Sequence, residues 1–191
     1  MIKTILLAAG QSKRLKSENK LIKLYKKKPL INYSLKTLHK SKVDKVVIVL
    51  GHQKNELKKI IKKNKKNIFI FNKDYRKGMA SSIKAGLKKI SKSDKGFIIV
   101  QSDMPFIKLS ELNKMYNSIK SQKFLVYALR YKNRVGNPIG FDISVVKKFK
   151  RIKGDVGAKF MVKRLKNETK FIKIGNLKSF KDFDKASDFR T

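Results

Sequence analysis

The chain has 191 residues, with 50 Lys and Arg against 13 Asp and Glu, for a formal net charge of +37. That length suits one domain with a sizeable core, so residues 1–191 are read as a single unit; the 41% of hydrophobic residues, spread along the chain, exclude a disordered basic tail. There is no cysteine, which excludes disulfides, thiolate zinc sites, iron–sulfur clusters and a Cys nucleophile. No apolar run approaches the roughly 20 residues that cross a bilayer, and residues 1–10 read as a strand and turn with no small-residue cleavage site behind them. The cytoplasm is the expected compartment.

In chain order, residues 2–8 (IKTILLA) form a buried-strand pattern, and residues 30–38 carry helical spacing behind Pro29, placed at a first turn. Residues 45–50 (KVVIVL) are a second strand stopped by Gly51, residues 54–65 a helix, and residues 67–71 (NIFIF) a third strand. Residues 81–90 are helical, residues 96–100 (GFIIV) a fourth strand, residues 110–119 a helix and residues 124–129 a fifth strand. The last third is less regular, with strands at 138–141 and 170–174, a helix at 156–165 and a final helical turn at 185–189. Such alternation of nearly continuous apolar strands with helices predicts an α/β fold: a mostly parallel sheet covered on both faces, a Rossmann-like three-layer α/β/α sandwich.

The charge does not by itself point to nucleic acid. Most of it is Lys, distributed over nearly every helix and turn (Lys26–Lys28, Lys58, Lys59, Lys62, Lys63, Lys65, Lys66) instead of one patch. It reads as solvated faces, with non-specific, salt-sensitive nucleic-acid contact as a by-product. His39 and His52 stand apart from each other, so no His-based catalyst is expected. With acids this scarce, a clustered Asp stands out.

Ligands of open α/β sheets bind beyond the carboxyl ends of the strands. After the first strand come Leu7-Ala8-Ala9-Gly10-Gln11-Ser12, then Arg14 and Lys20. Small residues admit a ligand close to the backbone, consecutive N–H groups suit phosphate oxygens, and two cations add charge. The same residues also suit an ordinary turn with surface cations. After the fourth strand comes Ser102-Asp103-Met104-Pro105, where Asp103 suits either a Mg²⁺ ligand or a turn cap. Asp182 and Asp184 would share one face at strand period, repelling by about 1 kcal/mol in water unless a cation lies between them; helix-start acids are the alternative. Gly78, Ser81 and Ser82 precede a helix and suit either a nucleotide contact or a cap. Gly136-Asn137-Pro138 reads as a turn first and a base or substrate contact second, and Gly154-Asp155-Val156-Gly157-Ala158 as a helix entrance or an anion-binding turn.

Taken together and in order, these segments resemble the MobA-like nucleotidyltransferases, most closely the MocA-like branch of molybdenum cofactor cytidylyltransferases. The resemblance rests on LAAGQSKRLKSENKLIKLYKKKPLINYSLKTL, VVIVLGH, NKDYRKGMASSIKAGL, Asp103-Met104-Pro105, Gly136-Asn137-Pro138 with Phe141, the Gly154–Ala158 stretch and Asp182-Phe183-Asp184. It covers essentially the whole chain. This chain differs in having Lys16 where the family has Gly, one extra residue between Arg14 and Lys20, Asn137 for the usual His, and Lys185-Ala186 for Thr-Pro.

The resemblance implies a nucleotide-diphospho-sugar transferase type of sheet and a set of roles. Leu7, Ala8, Ala9, Gly10, Ser12, Gly78, Ser81 and Ser82 would bind the nucleotide. Arg14 and Lys20 would neutralise its triphosphate, with Asp103 as their catalytic companion. Asp103 and Asp184 would hold Mg²⁺, and Asn137, Pro138, Gly154, Asp155 and Gly157 would meet the acceptor. The implied donor is an NTP, with CTP mildly favoured over GTP by Ala9. The implied acceptor is the phosphate of molybdopterin, and a molybdoenzyme or its chaperone would take the product. Two other functions stay open at the level of sequence: nucleotidyl transfer to a sugar phosphate or other small molecule, and a non-catalytic basic nucleic-acid-binding or accessory protein.

Overall fold

The computed structural model describes residues 1–12, 15 and 19–190. Its centre is a seven-stranded sheet built from β1 (Ile2–Ala8), β4 (Lys45–Leu50), β5 (Asn67–Phe71), β6 (Gly96–Gln101), β7 (Val126–Tyr131), β8 (Arg134–Asp142) and β9 (Thr169–Lys173). β2 (Leu24–Tyr25) and β3 (Lys28–Pro29) form a separate two-residue hairpin, and the helices are α1 (Ile31–Lys40), α2 (Lys54–Ile60), α3 (Met79–Leu87), α4 (Leu109–Lys120) and α5 (Lys159–Arg164). The sheet order is β5-β4-β1-β6-β8-β7-β9. Every neighbouring pair is parallel except those involving β8, which runs against both β6 and β7.

Alternation along the strands divides the core in two. Ile2, Leu6, Ile48, Leu50, Ile98 and Val100 face one side, where Leu35 and Leu38 of α1, Leu57 of α2 and Met115 and Ile119 of α4 cover them. Ile5, Val47, Val49, Phe97 and Ile99 face the other side, under Ala80 and Ile83 of α3, Met161 of α5, and Val145 and Phe149 of a 3₁₀ segment at Ile143–Arg151. Strands buried on both faces need apolar residues at successive positions, which is why the runs read from sequence coincide with the strands. The expected three-layer α/β/α sandwich is the observed architecture.

The departures have local causes. Pro29 pairs with Leu24 in the hairpin, and α1 begins only at Ile31. The second helix ends at Ile60, since Ile61 is extended (φ −84°, ψ 113°). The fifth helix starts at Lys159, not 156. Gly136-Asn137-Pro138 is no turn but part of β8: Ala128 faces Ile139 and Leu129 faces Gly136, so Asn137 and Pro138 are looped out of register. A proline lacks the N–H that a ladder requires, so a bulge is where a strand interior tolerates one.

Candidate active site

β1 and β6 are parallel neighbours with Leu7 opposite Gln101. The chain leaves β1 toward β4 and β5 on one side and resumes at β6 on the other, so their carboxyl ends flank the point where the strand order reverses, the expected place for a ligand. A cleft of about 340 Å³ opens there, bounded by Leu7, Ala9, Gly10, Gln11 and Ser12 after β1 and by Gln101, Ser102 and Asp103 after β6. Among the described residues nothing lies within 4 Å of the position a Cβ on Gly10 would take, so they leave the backbone there open to a ligand.

The β6 turn is pinned from several directions. The Ser102 hydroxyl donates to the Leu7 carbonyl at 2.6 Å, tying the turn to the end of β1. From α1, the buried Ser34 hydroxyl lies 3.2 and 3.1 Å from the carbonyl oxygens of Ser102 and Met104. Asp103 is thereby aimed at the cleft. A third segment reaches it from the far end of the sequence. The Phe183 N–H donates to the Asp103 carbonyl at 3.0 Å, while the Phe183 ring is buried against Tyr25 (4.9 Å between centroids), Phe106 (5.8 Å) and Phe189 (5.1 Å). With that ring fixed in the core, the next residue, Asp184, arrives beside Asp103.

Lys20 joins the two. Its ammonium donates to Asp103 Oδ2 at 2.6 Å and to Asp184 Oδ1 at 2.7 Å. Its backbone N–H donates to the Ser12 hydroxyl at 3.1 Å, linking it to the glycine turn. Burial opposes the Lys20 charge, but its carboxylate partners, Asp103 first, outweigh that and hold its pKa above the ordinary lysine value. Burial pushes the Asp103 carboxyl above the ordinary Asp value; Lys20 pulls it down without cancelling the effect. The second oxygen of Asp103, Oδ1, is buried with no hydrogen-bond partner.

The opposite wall comes from α3 and the 154–157 loop. Gly78 (φ +95°) packs on Gly154, the Ala80 N–H donates to the Gly154 carbonyl at 3.0 Å, and the Met79 N–H donates to Asp155 Oδ1 at 3.2 Å. Asn137 donates to Gln101 Oε1 at 2.8 Å, so the β8 bulge abuts the cleft without lining it.

The structure therefore gathers Leu7, Ala9, Gly10, Ser12, Lys20, Gly78, Ser82, Asp103, Asp155 and Asp184 around one cleft. Ala8 is buried in the core instead. The Ser81 hydroxyl is taken up by the chain itself, donating toward the Asp74 and Gly78 carbonyls and accepting from Asn72. Asn137, Pro138, Gly154 and Gly157 do not line the cleft. Residues 181–184 form no strand, and Asp182 is exposed, so the converging carboxylates are Asp103 and Asp184, not Asp182 and Asp184. Arg14 and Lys16 lie outside the described residues. Gln11, Tyr75, Arg76, Met79 and Gln101 also line the cleft, where sequence pattern alone assigns them no role; each lies within or beside one of the motifs, and Gln101 is the last residue of β6.

Among the described residues no three His, Cys, Asp or Glu side chains gather to hold a metal on their own. Two carboxylates with one unpartnered oxygen nevertheless fit Mg²⁺, which typically takes one or two carboxylates and completes its shell with water and substrate phosphates.

The mostly parallel seven-stranded sheet with its covering helices is an α/β nucleotidyltransferase fold. The family described as MobA-like NTP transferase domain matches residues 4–169, and the chain belongs to that family. It is 31% identical over 141 residues to 2-C-methyl-D-erythritol 4-phosphate cytidylyltransferase of Lachnoclostridium phytofermentans, covering 70% of this chain and 58% of that protein. It is 28% identical over 120 residues to bifunctional protein GlmU of Caldicellulosiruptor saccharolyticus, covering 62% of this chain and 26% of that protein. The chain thus spans about a quarter of the GlmU proteins it matches. Among solved structures, Rv0371c of Mycobacterium tuberculosis superposes with a TM-score of 0.86 at 20% identity over 99% of this chain and 95% of that one; a manganese complex of Rv0371c is also known. Molybdopterin-guanine dinucleotide biosynthesis protein A of Archaeoglobus fulgidus superposes with a TM-score of 0.73 at 17% identity over 98% of this chain and 95% of that one.

Proposed function

We propose that this chain transfers a nucleoside monophosphate from an NTP, CTP by preference, to the phosphate of molybdopterin, releasing pyrophosphate. The observation that carries the reading is the Lys20 ammonium held between Asp103 and Asp184 beside the Gly10 turn, at the switch point of the sheet. An acceptor phosphate oxygen is already a nucleophile, so the reaction needs no general base. It attacks the α-phosphorus, a new P–O–P link forms, and the bond to the β-phosphate breaks. The chain contributes alignment and charge. Backbone after β1 receives the donor, Lys20 and Arg14 take up negative charge on its phosphates, and the wall formed by α3 and Asp155 limits how the two substrates sit. A Mg²⁺ held by Asp103 and Asp184 would supply further charge cancellation on the phosphates.

Support for the acceptor comes from the MocA-like order of motifs; support for CTP comes from Ala9 and from the likeness to a cytidylyltransferase. On this reading the chain works as one domain in the cytoplasm and passes its product to a molybdoenzyme or its chaperone. No described helix is long and apolar enough to cross a membrane. The test is pyrophosphate release from each of the four NTPs with Mg²⁺ and, in separate arms, molybdopterin, a sugar 1-phosphate and a polyol phosphate. Release with CTP and molybdopterin is expected. Release only with a sugar or polyol phosphate overturns the acceptor, and no release in any arm overturns the activity.

A further inference from the structure

The Asp103–Asp184 pair carries more than a set of ligands. Its inner side is occupied by a cation of the chain's own, 2.6 Å from one carboxylate and 2.7 Å from the other. Both contacts are charge-assisted, the strong class of hydrogen bond. A dication bridging the same two carboxylates would sit beside that ammonium, and like charges at such range repel strongly in a partly buried site. Lys20 and the dication therefore compete.

We infer that Lys20 and a divalent cation are alternative partners of Asp103 and Asp184, and that the donor's phosphates exchange one for the other. The cation then enters together with the nucleotide and not before it. Two observations make the exchange physical. Lys20 is tied by its backbone N–H to the Ser12 hydroxyl, in the same turn whose Gly10 backbone lies open to a ligand, so phosphates arriving there meet the lysine directly. Asp103 Oδ1, which Lys20 leaves buried and unpartnered, is an oxygen that a cation can take once the ammonium swings toward phosphate. Lys20 then has two successive roles: a stand-in that keeps two neighbouring carboxylates compensated, and a phosphate ligand. The inference rests on the nucleotidyltransferase reading for the second role only.

The test measures Mn²⁺ bound to the nucleotide-free protein, by the electron paramagnetic resonance signal of free Mn²⁺, for wild type, Lys20→Met and Lys20→Arg. Met keeps the length and apolar stem of lysine without its charge; Arg keeps the charge. Circular dichroism and melting of each variant identify any that fails to fold. Lys20→Met is expected to bind Mn²⁺ about ten- to a hundredfold more tightly than wild type, the range expected for relinquishing a hydrogen bond to a charged group. Lys20→Arg should stay near wild type, and Asp184→Asn placed in the Lys20→Met background should abolish the gain. Equal or weaker Mn²⁺ binding by Lys20→Met overturns the inference, as does an equal gain in Lys20→Arg. If wild type transfers nucleotide but Lys20→Met shows no gain, the inference fails and the function stands. If the gain appears in a protein that transfers nothing, the function fails and the competition stands.

Discussion

Replacing Gly78 by Ala tests whether the far wall of the cleft is set by one backbone contact. Gly78 has φ +95° and ψ 177°, a conformation essentially reserved for glycine, so a side chain there costs about 1–3 kcal/mol in backbone strain. Its Cβ would also lie 2.5 Å from the Gly154 carbonyl carbon, 2.6 Å from its oxygen and 2.8 Å from the Asp155 nitrogen. Those are backbone atoms that no rotamer change can clear, and overpacking of this kind costs about 1–3 kcal/mol more. A total near 4 kcal/mol corresponds to a fall in melting temperature of roughly 8–16 °C for a chain of this size. Gly154 provides the control. It also has positive φ (+64°), but none of the described residues lies within 4 Å of its Cβ position, so Gly154→Ala should cost only about 1 kcal/mol, or roughly 2–4 °C. Differential scanning fluorimetry of the two variants side by side measures both. Equal shifts would show that strain alone matters at Gly78 and that its contact with the 154–155 loop does not hold the wall.

Three further outcomes follow from the same geometry. Asp103→Asn should reduce pyrophosphate release by at least about a hundredfold while leaving circular dichroism unchanged, because burial already disfavours the charge that the amide removes. Phe183→Ala should cost about 3–5 kcal/mol in denaturant unfolding and also depress turnover, although Phe183 does not line the cleft, because its ring positions Asp184; normal turnover at full occupancy of both substrates would refute that link. The Asp188 carboxyl, despite the opposing effect of burial, is held below the usual Asp value of 3.8 by the N–H groups of Lys185 and Asp184 and by Lys181. A lowered carboxyl stabilises the fold above the unfolded pKa and loses that contribution as pH falls through the folded one. Melting temperature measured from pH 6 to pH 2.5 should therefore fall more steeply below about 4 in wild type than in Asp188→Asn.

The parts of this fold legible in the sequence are those where one physical requirement dominates. Strands buried on both faces carry nearly continuous apolar runs, and 2–8 and 45–50 coincide with β1 and β4; 67–71 coincides with β5, an edge strand whose Phe69 and Phe71 stay exposed. Turn residues are ambiguous, since the same chemistry serves several geometries; Gly136-Asn137-Pro138 answered to a bulge, and Pro29 to a hairpin. Asp103 and Asp184 stood out because acids are scarce. The structure adds what the other acids do. Asp94 pairs with Lys3 at 2.7 Å, Asp44 accepts the Ile2 N–H at 2.6 Å, and Glu111 accepts from Ser179 and from the Lys108 N–H. The pairing of Asp103 with Lys20, by contrast, is not legible, since the resemblance gives Lys20 to the triphosphate. Lys20 is one lysine among many, and only the folded chain shows that its ammonium lies between carboxylates 83 and 164 positions away.

The overall charge and the acidic cleft belong to one electrostatic arrangement. Of 13 acids in the chain, Asp103, Asp155 and Asp184 line the same cleft, inside a molecule of net charge +37. At physiological salt a charge is felt over roughly 8 Å, so the lysines spread over the surface govern encounter more than binding. That field opposes a bare dication approaching the carboxylates and favours a polyanion. A dication already bound to a nucleoside triphosphate travels as a net anion, so the same field that resists the metal alone draws in the complex. The local competition with Lys20 and the long-range lysine field thus act in the same direction: both favour entry of the metal with its nucleotide, and neither requires a residue to change conformation beyond the swing of one ammonium.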